Sequence, residues 1–485
     1  MSNYVASLDF GSSKIALAVG EKTENGIRVV SYNDAESVGI KCGEIVKELQ
    51  VIEAIGQLRQ RAEEEIGEPL EEVVIGISGK FIHSSDISCK VLRGNKDSYV
   101  TKEELASITK ARYNSQLDND EVVFEAIPQR YNIDDNIGFS HDDLIGMKGQ
   151  TIDASFKLFY GKKSIISRRR EIVEACGLKV KKAILSPIAS ARAVLTEQEM
   201  ENGAALVDIG KGVTEIAIIK DNVVRDVYSI PFAGESVTTD IKKVTNTTAK
   251  WAEAIKVLHG SACSDFTPEN KKLILKGADN SSEGEVELSL LSSVIEARLS
   301  EIFDAVKYFI DSSEDGKKLS AGVVLTGGTC YMENIQQLAS ALLGQKVRIA
   351  APRGSIASDS AETAFDAYAS TAVGLILEDN EGILSHATDS NTPVIKIEAP
   401  MPAQAEVKAQ DTEENMIFKE EPRQDDAEYR RQKKEAEKER KEKEKAEKKR
   451  IEEEKRQRER EDKARKKESS GGFWGSLFSE TKDNA

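Results

Sequence analysis

Two segments of this chain have the residue types and spacing of phosphate-binding turns. Leu8-Asp9-Phe10-Gly11-Ser12-Ser13-Lys14 ends one apolar run and opens another, and Val207-Asp208-Ile209-Gly210-Lys211-Gly212-Val213-Thr214-Glu215 does the same 199 residues later. Glycine at Gly11, Gly210 and Gly212 lets backbone N–H groups approach phosphate oxygens with no Cβ in the way. Ser12, Ser13 and Thr214 can add hydroxyl donors, and Lys14 can neutralise the β and γ charge of a polyphosphate. Asp9 and Asp208 are expected to face each other across a cleft and to hold Mg²⁺ through water, because this ion keeps most of its hydration shell. One Asp-x-Gly carries little information at ordinary glycine usage, but two copies in the same strand-turn-strand setting carry far more.

A third element is the buried strand expected from Ala321, running into Thr326-Gly327-Gly328-Thr329 and followed by a helical stretch from Tyr331 to Leu343. Paired glycines ahead of a helix let a flat base or ribose lie against backbone. A fourth is Glu253 and Lys256, three apart on one helical face, where both can reach the same ligand.

The elements that must position these residues alternate in kind. Strand-like runs such as VASLDF, IALAVG, VVIGIS, GAALVDIG, TEIAIIK and GVVLTGG lie between helical stretches from Tyr4 to about Leu377, which is the pattern of an α/β fold. The chain's 485 residues exceed the roughly 250–300 at which one core stops growing, so two or more subdomains are expected. The first ten residues lack a signal-peptide pattern and no run of about 18 apolar residues occurs, so the body is expected to be cytoplasmic. The cysteines Cys42, Cys89, Cys176, Cys263 and Cys330 are scattered, with no Cys-x-x-Cys, which argues for reduced thiols. The four histidines are equally dispersed, so a histidine metal site is not expected.

The order of first turn, second turn and glycine pair resembles that of the actin, Hsp70 and sugar kinase superfamily. Within it, FEAIPQRYNID at 124–134, Ile145-Gly146-Met147-Lys148-Gly149 and AEAIKVLHG at 252–260 are similar to the FtsA family of bacterial cell-division proteins. That resemblance implies an actin-like (ribonuclease H-like) two-lobed ATPase fold with an inserted FtsA-specific subdomain. The first lobe would comprise 1–83 and 163–195, the insertion 84–162 and the second lobe 196–386. It further implies ATP bound with Mg²⁺ between the lobes, polymerisation of the chain with itself, and tethering of FtsZ and other division proteins at the septum, on the cytoplasmic face of the membrane. The helix SSVIEARLSEIF then carries the candidate FtsZ contacts Glu296 and Arg298. Lys211 stands where many relatives have Gly, and Ser186 where they commonly offer Glu, so nucleotide binding with slow turnover is expected. A chaperone or sugar-kinase-like enzyme, and a pilus-assembly or shape-determining actin homologue, are the alternatives that share the same turns.

After His386 the composition changes. Residues 387–426 are expected to be a disordered linker, too weakly hydrophobic to offset the entropy of ordering. Residues 427–468 hold 20 Lys and Arg against 14 Asp and Glu, and their i,i+3 and i,i+4 pairs favour a lone charged helix of roughly 60 Å. A coiled coil is disfavoured, because Lys and Glu would fill its seam. The body is therefore more acidic than the net charge of −16 for the whole chain, and is expected to repel nucleic acid and anionic lipid. The tip, 469–485, sets Phe473, Trp474, Leu477 and Phe478 on one side of a helix, with Lys463, Arg465, Lys466 and Lys467 upstream. An apolar tip beyond a polar spacer fits an anionic membrane surface, or alternatively a partner's groove.

Overall fold

The computed structural model describes residues 3–381 apart from 25, 80, 116, 118–119, 269–270, 277–282, 354 and 357–362; the linker, charged helix and apolar tip lie outside the described residues. Chain contacts separate Met1–Glu420 from Glu421–Ala485, and every described residue belongs to the first unit.

The chain opens with an antiparallel meander of β1 (Tyr4–Phe10), β2 (Lys14–Thr23) and β3 (Gly26–Glu36). A short hairpin, β4 (Ile40–Lys41) and β5 (Glu44–Ile45), leads into α1 (Glu48–Ile66). Val51, Ile55, Leu58 and Ala62 recur at helical spacing and give α1 its buried stripe, and Gly67 ends it in the left-handed conformation at φ 74°. β6 (Glu72–Ile77) then joins β1 in parallel.

The insertion follows as β7 (His83–Leu92), α2 (Lys102–Arg112), β8 (Glu121–Ile133), β9 (Asn136–Phe139), α3 (His141–Leu144) and β10 (Thr151–Lys162). Its antiparallel sheet, ordered β7-β10-β8-β9, has its own core, in which Leu105, Tyr131, Phe156 and Leu158 are buried. The chain returns through α4 (Lys163–Ala175), β11 (Lys179–Leu185) beside β6, and α5 (Ser186–Val194).

The second lobe repeats the plan. After α6 (Glu197–Asn202), β12 (Ala204–Ile209), β13 (Thr214–Lys220) and β14 (Val223–Ile230) form a second meander. Next come α7 (Gly234–Thr245), α8 (Ala249–His259), the β15 (Lys272–Lys276) and β16 (Glu283–Glu287) hairpin, and the long α9 (Leu288–Ser312). β17 (Gly322–Thr326) adds in parallel to β12 as β6 adds to β1, and α10 (Ile335–Leu343) and β18 (Val347–Ile349) follow. The two sheets thus share one topology, β6-β1-β2-β3 matching β17-β12-β13-β14, so each lobe carries its glycine turn at the same end of the same strand pair.

The last elements cross back. β19 (Ser355–Ile356) pairs in parallel with β3, and α11 (Ser370–Glu381) packs on α5 and β1. Both fall within 196–386, the range the sequence assigns to the second lobe, because the apolar pattern of α11 does not reveal which sheet it covers. Gly374 lets α11 approach the backbone of Ala189 closer than any side chain would permit. α5 and α11 contribute to a common core with residues of both sheets, including Ile188, Val373, Leu206 and Ala18. The insertion is fastened to β14 by Lys157, whose Nζ lies 3.1 Å from Asp226, and by Gln129, which donates to the carbonyl of Val224 at 2.9 Å. No helix among the described residues is long and apolar enough to cross a membrane.

Candidate functional site

The two turns meet. A Cβ on Gly212 would stand 2.6 Å from Ser12 Oγ and 3.0 Å from the Cys42 nitrogen, so the second turn touches both the first turn and the tip of the β4–β5 hairpin. The amide of Gly43, in that same tip, donates to Ser12 Oγ at 3.3 Å.

Asp9 and Asp208 stand near the ends of the equivalent strands β1 and β12, close enough for the charge of Asp208 to act on Asp9. Burial, and then the charge of Asp208, push Asp9 up to about 7 against the pull of Lys14 and Arg169. Burial raises Asp208 to about 6, opposed by hydrogen bonds from Ser190 and Thr371. Ser190 Oγ lies 3.0 Å from Asp208 Oδ2, which fixes the carboxylate from α5.

A third acid joins them. Glu215 is directly opposite Asp208 on the β12–β13 ladder and is 5% exposed. Burial and the charges of Asp208 and Asp9 raise it to about 8, while hydrogen bonds from Ser78 and the Gly79 backbone work the other way. Its Oε1 is buried without a hydrogen-bond partner. Three acids gathered with so little compensation, Glu215 buried and Asp9 and Asp208 half-buried, form a place for positive charge. Among the described residues no group of three or more His, Cys, Asp or Glu lies close enough to ligate a metal directly.

Lys14 is half-buried at the start of β2, and burial lowers its pKa to about 8. Its Nζ donates to the Tyr32 hydroxyl and stands 3.6 Å from the centroid of the Tyr368 ring. Ser186 is buried beside Gly76, on which a Cβ would meet Ser186 Oγ at 2.8 Å and Asp9 Oδ1 at 3.5 Å; its own hydroxyl has no hydrogen-bond partner.

The glycine pair and the Glu253–Lys256 face join the second turn through one carbonyl. Thr329 Oγ1 donates to the Gly210 oxygen at 2.8 Å, and the Gly234 amide donates to the same atom at 3.1 Å. The buried Nζ of Lys256 reaches the Gly234 carbonyl at 3.2 Å, Thr238 Oγ1 at 2.9 Å and Glu253 Oε2 at 2.8 Å, and burial lowers its pKa. Gly327 needs to be glycine, since its φ is 88° and a Cβ there would collide with the Asp208 carboxylate. Gly328 faces open space, its Cβ position meeting only Tyr368 at 4.0 Å.

Some of the expected residues are engaged elsewhere. The buried Thr214 donates its hydroxyl to the Phe232 carbonyl at 3.0 Å, within its own lobe, and the Lys211 ammonium lies 3.7 Å from Glu235. Glu296 and Arg298 stand on α9, away from the turns. Glu296 accepts the Ser264 amide at 2.7 Å, and Arg298 pairs with Asp240 at 2.6 Å and also with Glu301. Residues not singled out from sequence complete the site, namely Glu215, Arg169, Ser190, Tyr32 and Tyr368. The detectable signal was Glu215, an acid between the second turn and the apolar stretch from Ile216 to Ile219.

Two lobes of matching sheet topology, each with an aspartate and a glycine turn at the end of its first strand and with the turns in contact, define an actin-like protein. A solved PilM–PilN type IV pilus biogenesis complex contains a chain of the same fold, at 14% identity, with a TM-score of 0.54 over 78% of this chain and 98% of that one. The family model for cell division protein FtsA matches residues 205–374. Cell division protein FtsA of Neisseria meningitidis serogroup B is 30% identical over 352 residues, covering 72% of this chain and 84% of the relative. That of Escherichia coli K12 is 30% identical over 380 residues, covering 77% and 89%. The chain belongs to the FtsA family of cell division proteins.

Proposed function

We propose that the chain is an ATP-binding division scaffold that assembles with itself and tethers FtsZ to the cytoplasmic membrane through its C-terminal tip. The observation that supports nucleotide binding best is the convergence of both glycine turns, the glycine pair and Lys256 on one cleft, through the contacts of Gly212 with Ser12 and of Thr329 with Gly210. In that reading the triphosphate lies against the backbone of Gly11–Ser13 and Gly210–Gly212, with the base and ribose over Gly328 toward Glu253 and Lys256. The orphaned Glu215 oxygen and the raised Asp9 and Asp208 suit a hydrated divalent cation, which Asp9 and Asp208 would hold through water. Bound Mg²⁺ would supply charge neutralisation of the phosphates. Glu215 is the acid best placed to accept a proton from a water in the cleft. Burial and the charges of Asp208 and Asp9 hold it above the usual carboxylate range before nucleotide and cation enter.

The membrane reading rests on the sequence of the tip. Burying Phe473, Trp474, Leu477 and Phe478 contributes several kcal/mol at about 25 cal/mol per Å² of apolar area, enough for reversible attachment that assembly would multiply. Co-sedimentation with anionic vesicles tests it. The intact chain should pellet and carry FtsZ with it, and Trp474→Glu with Phe478→Glu should leave both in the supernatant. Full sedimentation of the double variant would place the membrane contact elsewhere.

A further inference from the structure

Arg169 is 3% exposed, whereas its chain neighbours on α4, Arg168 and Arg170, are both exposed. It projects from α4 to the cleft floor and lies over the Phe10 ring at 5.6 Å. Its Nη2 donates to the carbonyls of Gly43 at 2.8 Å and Ser78 at 3.3 Å, and its Nη1 to that of Ile165 at 2.9 Å. Its Nε is buried with no hydrogen-bond partner. Gly43 is the residue whose amide meets Ser12, so the guanidinium hangs directly behind the first phosphate turn. The acids Asp9 and Glu215, one from each lobe, both act on its charge.

We infer that Arg169 reads the terminal phosphate of a nucleoside triphosphate in this cleft and makes the chain favour triphosphate over diphosphate. The inference rests on the nucleotide-binding reading above and adds a residue to it. Asp9, Asp208 and Glu215 form an acidic floor that would repel an incoming terminal phosphate. Of the two cations whose charge acts on Asp9, Lys14 is already held between Tyr32 and Tyr368. Arg169 remains, held by three carbonyls in one orientation, so it requires little reorganisation to meet a ligand. A planar guanidinium with a free N–H suits a phosphate oxygen, and unlike a buried lysine it keeps its charge there. A diphosphate ends short of this group, and a triphosphate adds the one phosphate that can reach it.

The test is calorimetric titration of the full chain with ATP and with ADP, each with Mg²⁺, for the wild type, Arg169→Gln and Arg169→Lys. Arg169→Gln should weaken ATP by about tenfold or more, the range of one charge-assisted hydrogen bond, and change ADP by less than about twofold. Arg169→Lys, which keeps an N–H donor without the planar fork and guards against a folding defect, should fall between the wild type and Arg169→Gln for ATP. Equal losses for ATP and ADP, or no loss for either, would reduce Arg169 to a brace between turns and overturn the inference. A wild type that binds neither nucleotide would remove the nucleotide reading itself, an outcome distinct from the other two.

Discussion

Arg169 and Glu215, from opposite lobes, converge on a single turn: the guanidinium donates to the Ser78 carbonyl at 3.3 Å, while the Glu215 carboxylate accepts from Ser78 and Gly79. Ser78–Gly79 follows β6, beside the two phosphate turns, so the charges at the cleft floor and the closeness of the lobes depend on each other. Positive charge entering the cleft would stabilise acids that each lobe alone would leave ionised in water.

That coupling gives a pH dependence. Asp9, Asp208 and Glu215 all have folded pKa values above their unfolded ones, about 7, 6 and 8. The protonated acids favour the folded state, so their contribution is fully present below about pH 4 and is lost as pH rises through about 6 to 8. In the absence of nucleotide, the melting temperature should fall between pH 5.5 and 8.5, with a loss on the order of a few kcal/mol. Glu215→Gln should flatten the upper part of that decline. Glu125, raised to about 7 by burial, contributes in the same direction and, with Asp9 and Asp208, sets the slope that remains. Thermal melts across this range check it, and an unchanged profile in Glu215→Gln would contradict the assignment.

The two adjacent glycines should respond differently. Gly327→Ala forces a side chain onto a backbone at φ 88° and into the Asp208 carboxylate, so it should cost about 2 kcal/mol or more and disturb the site. Gly328→Val meets little in the empty cleft and should fold, yet it should weaken nucleotide binding by filling the space for the base or ribose. Chemical denaturation together with nucleotide titration separates the two. A Gly328→Val chain with wild-type affinity would move the base elsewhere.

The proposed FtsZ contact on α9 needs a control, because Arg298 is also a structural residue. Arg298→Glu breaks the 2.6 Å pair with Asp240 and reverses the surface charge, whereas Asp240→Asn breaks the same pair and keeps Arg298. FtsZ binding should weaken by about tenfold, or 1.4 kcal/mol, in the first and stay within about twofold in the second. Equal weakening in both would mean that the contribution comes from the packing of α7 on α9.

The parts of this site that were legible in the sequence are those in which backbone geometry demands a residue type. Gly11, Gly212 and Gly327 mark the turns because a Cβ at any of them would collide with a neighbour, and Asp9 and Asp208 stand at the same spacing ahead of Gly11 and Gly210. Arg169 was not legible, since Arg168, Arg169 and Arg170 are equivalent in sequence and only the rotation of α4 decides which one turns inward. Ser190 and Tyr368 were hidden for a related reason, because α5 and the segment before α11 meet only through long-range packing, while Tyr32 depends on how β3 pairs with β2. The strand pattern separated the two meanders clearly, yet it could not show that β19 and α11 return to the first sheet, a matter of long-range pairing.

The central claim is one nucleotide site built from both lobes, and calorimetry of ATP with Mg²⁺ binding to the wild type and to Asp208→Ala tests it most directly. Circular dichroism would first establish that both chains fold. The wild type should bind one ATP per chain, and Asp208→Ala should bind about tenfold or more weakly, since the variant removes the second lobe's share of the cation's water shell. Equal affinity in the two proteins, or no binding by the wild type, would contradict a shared site.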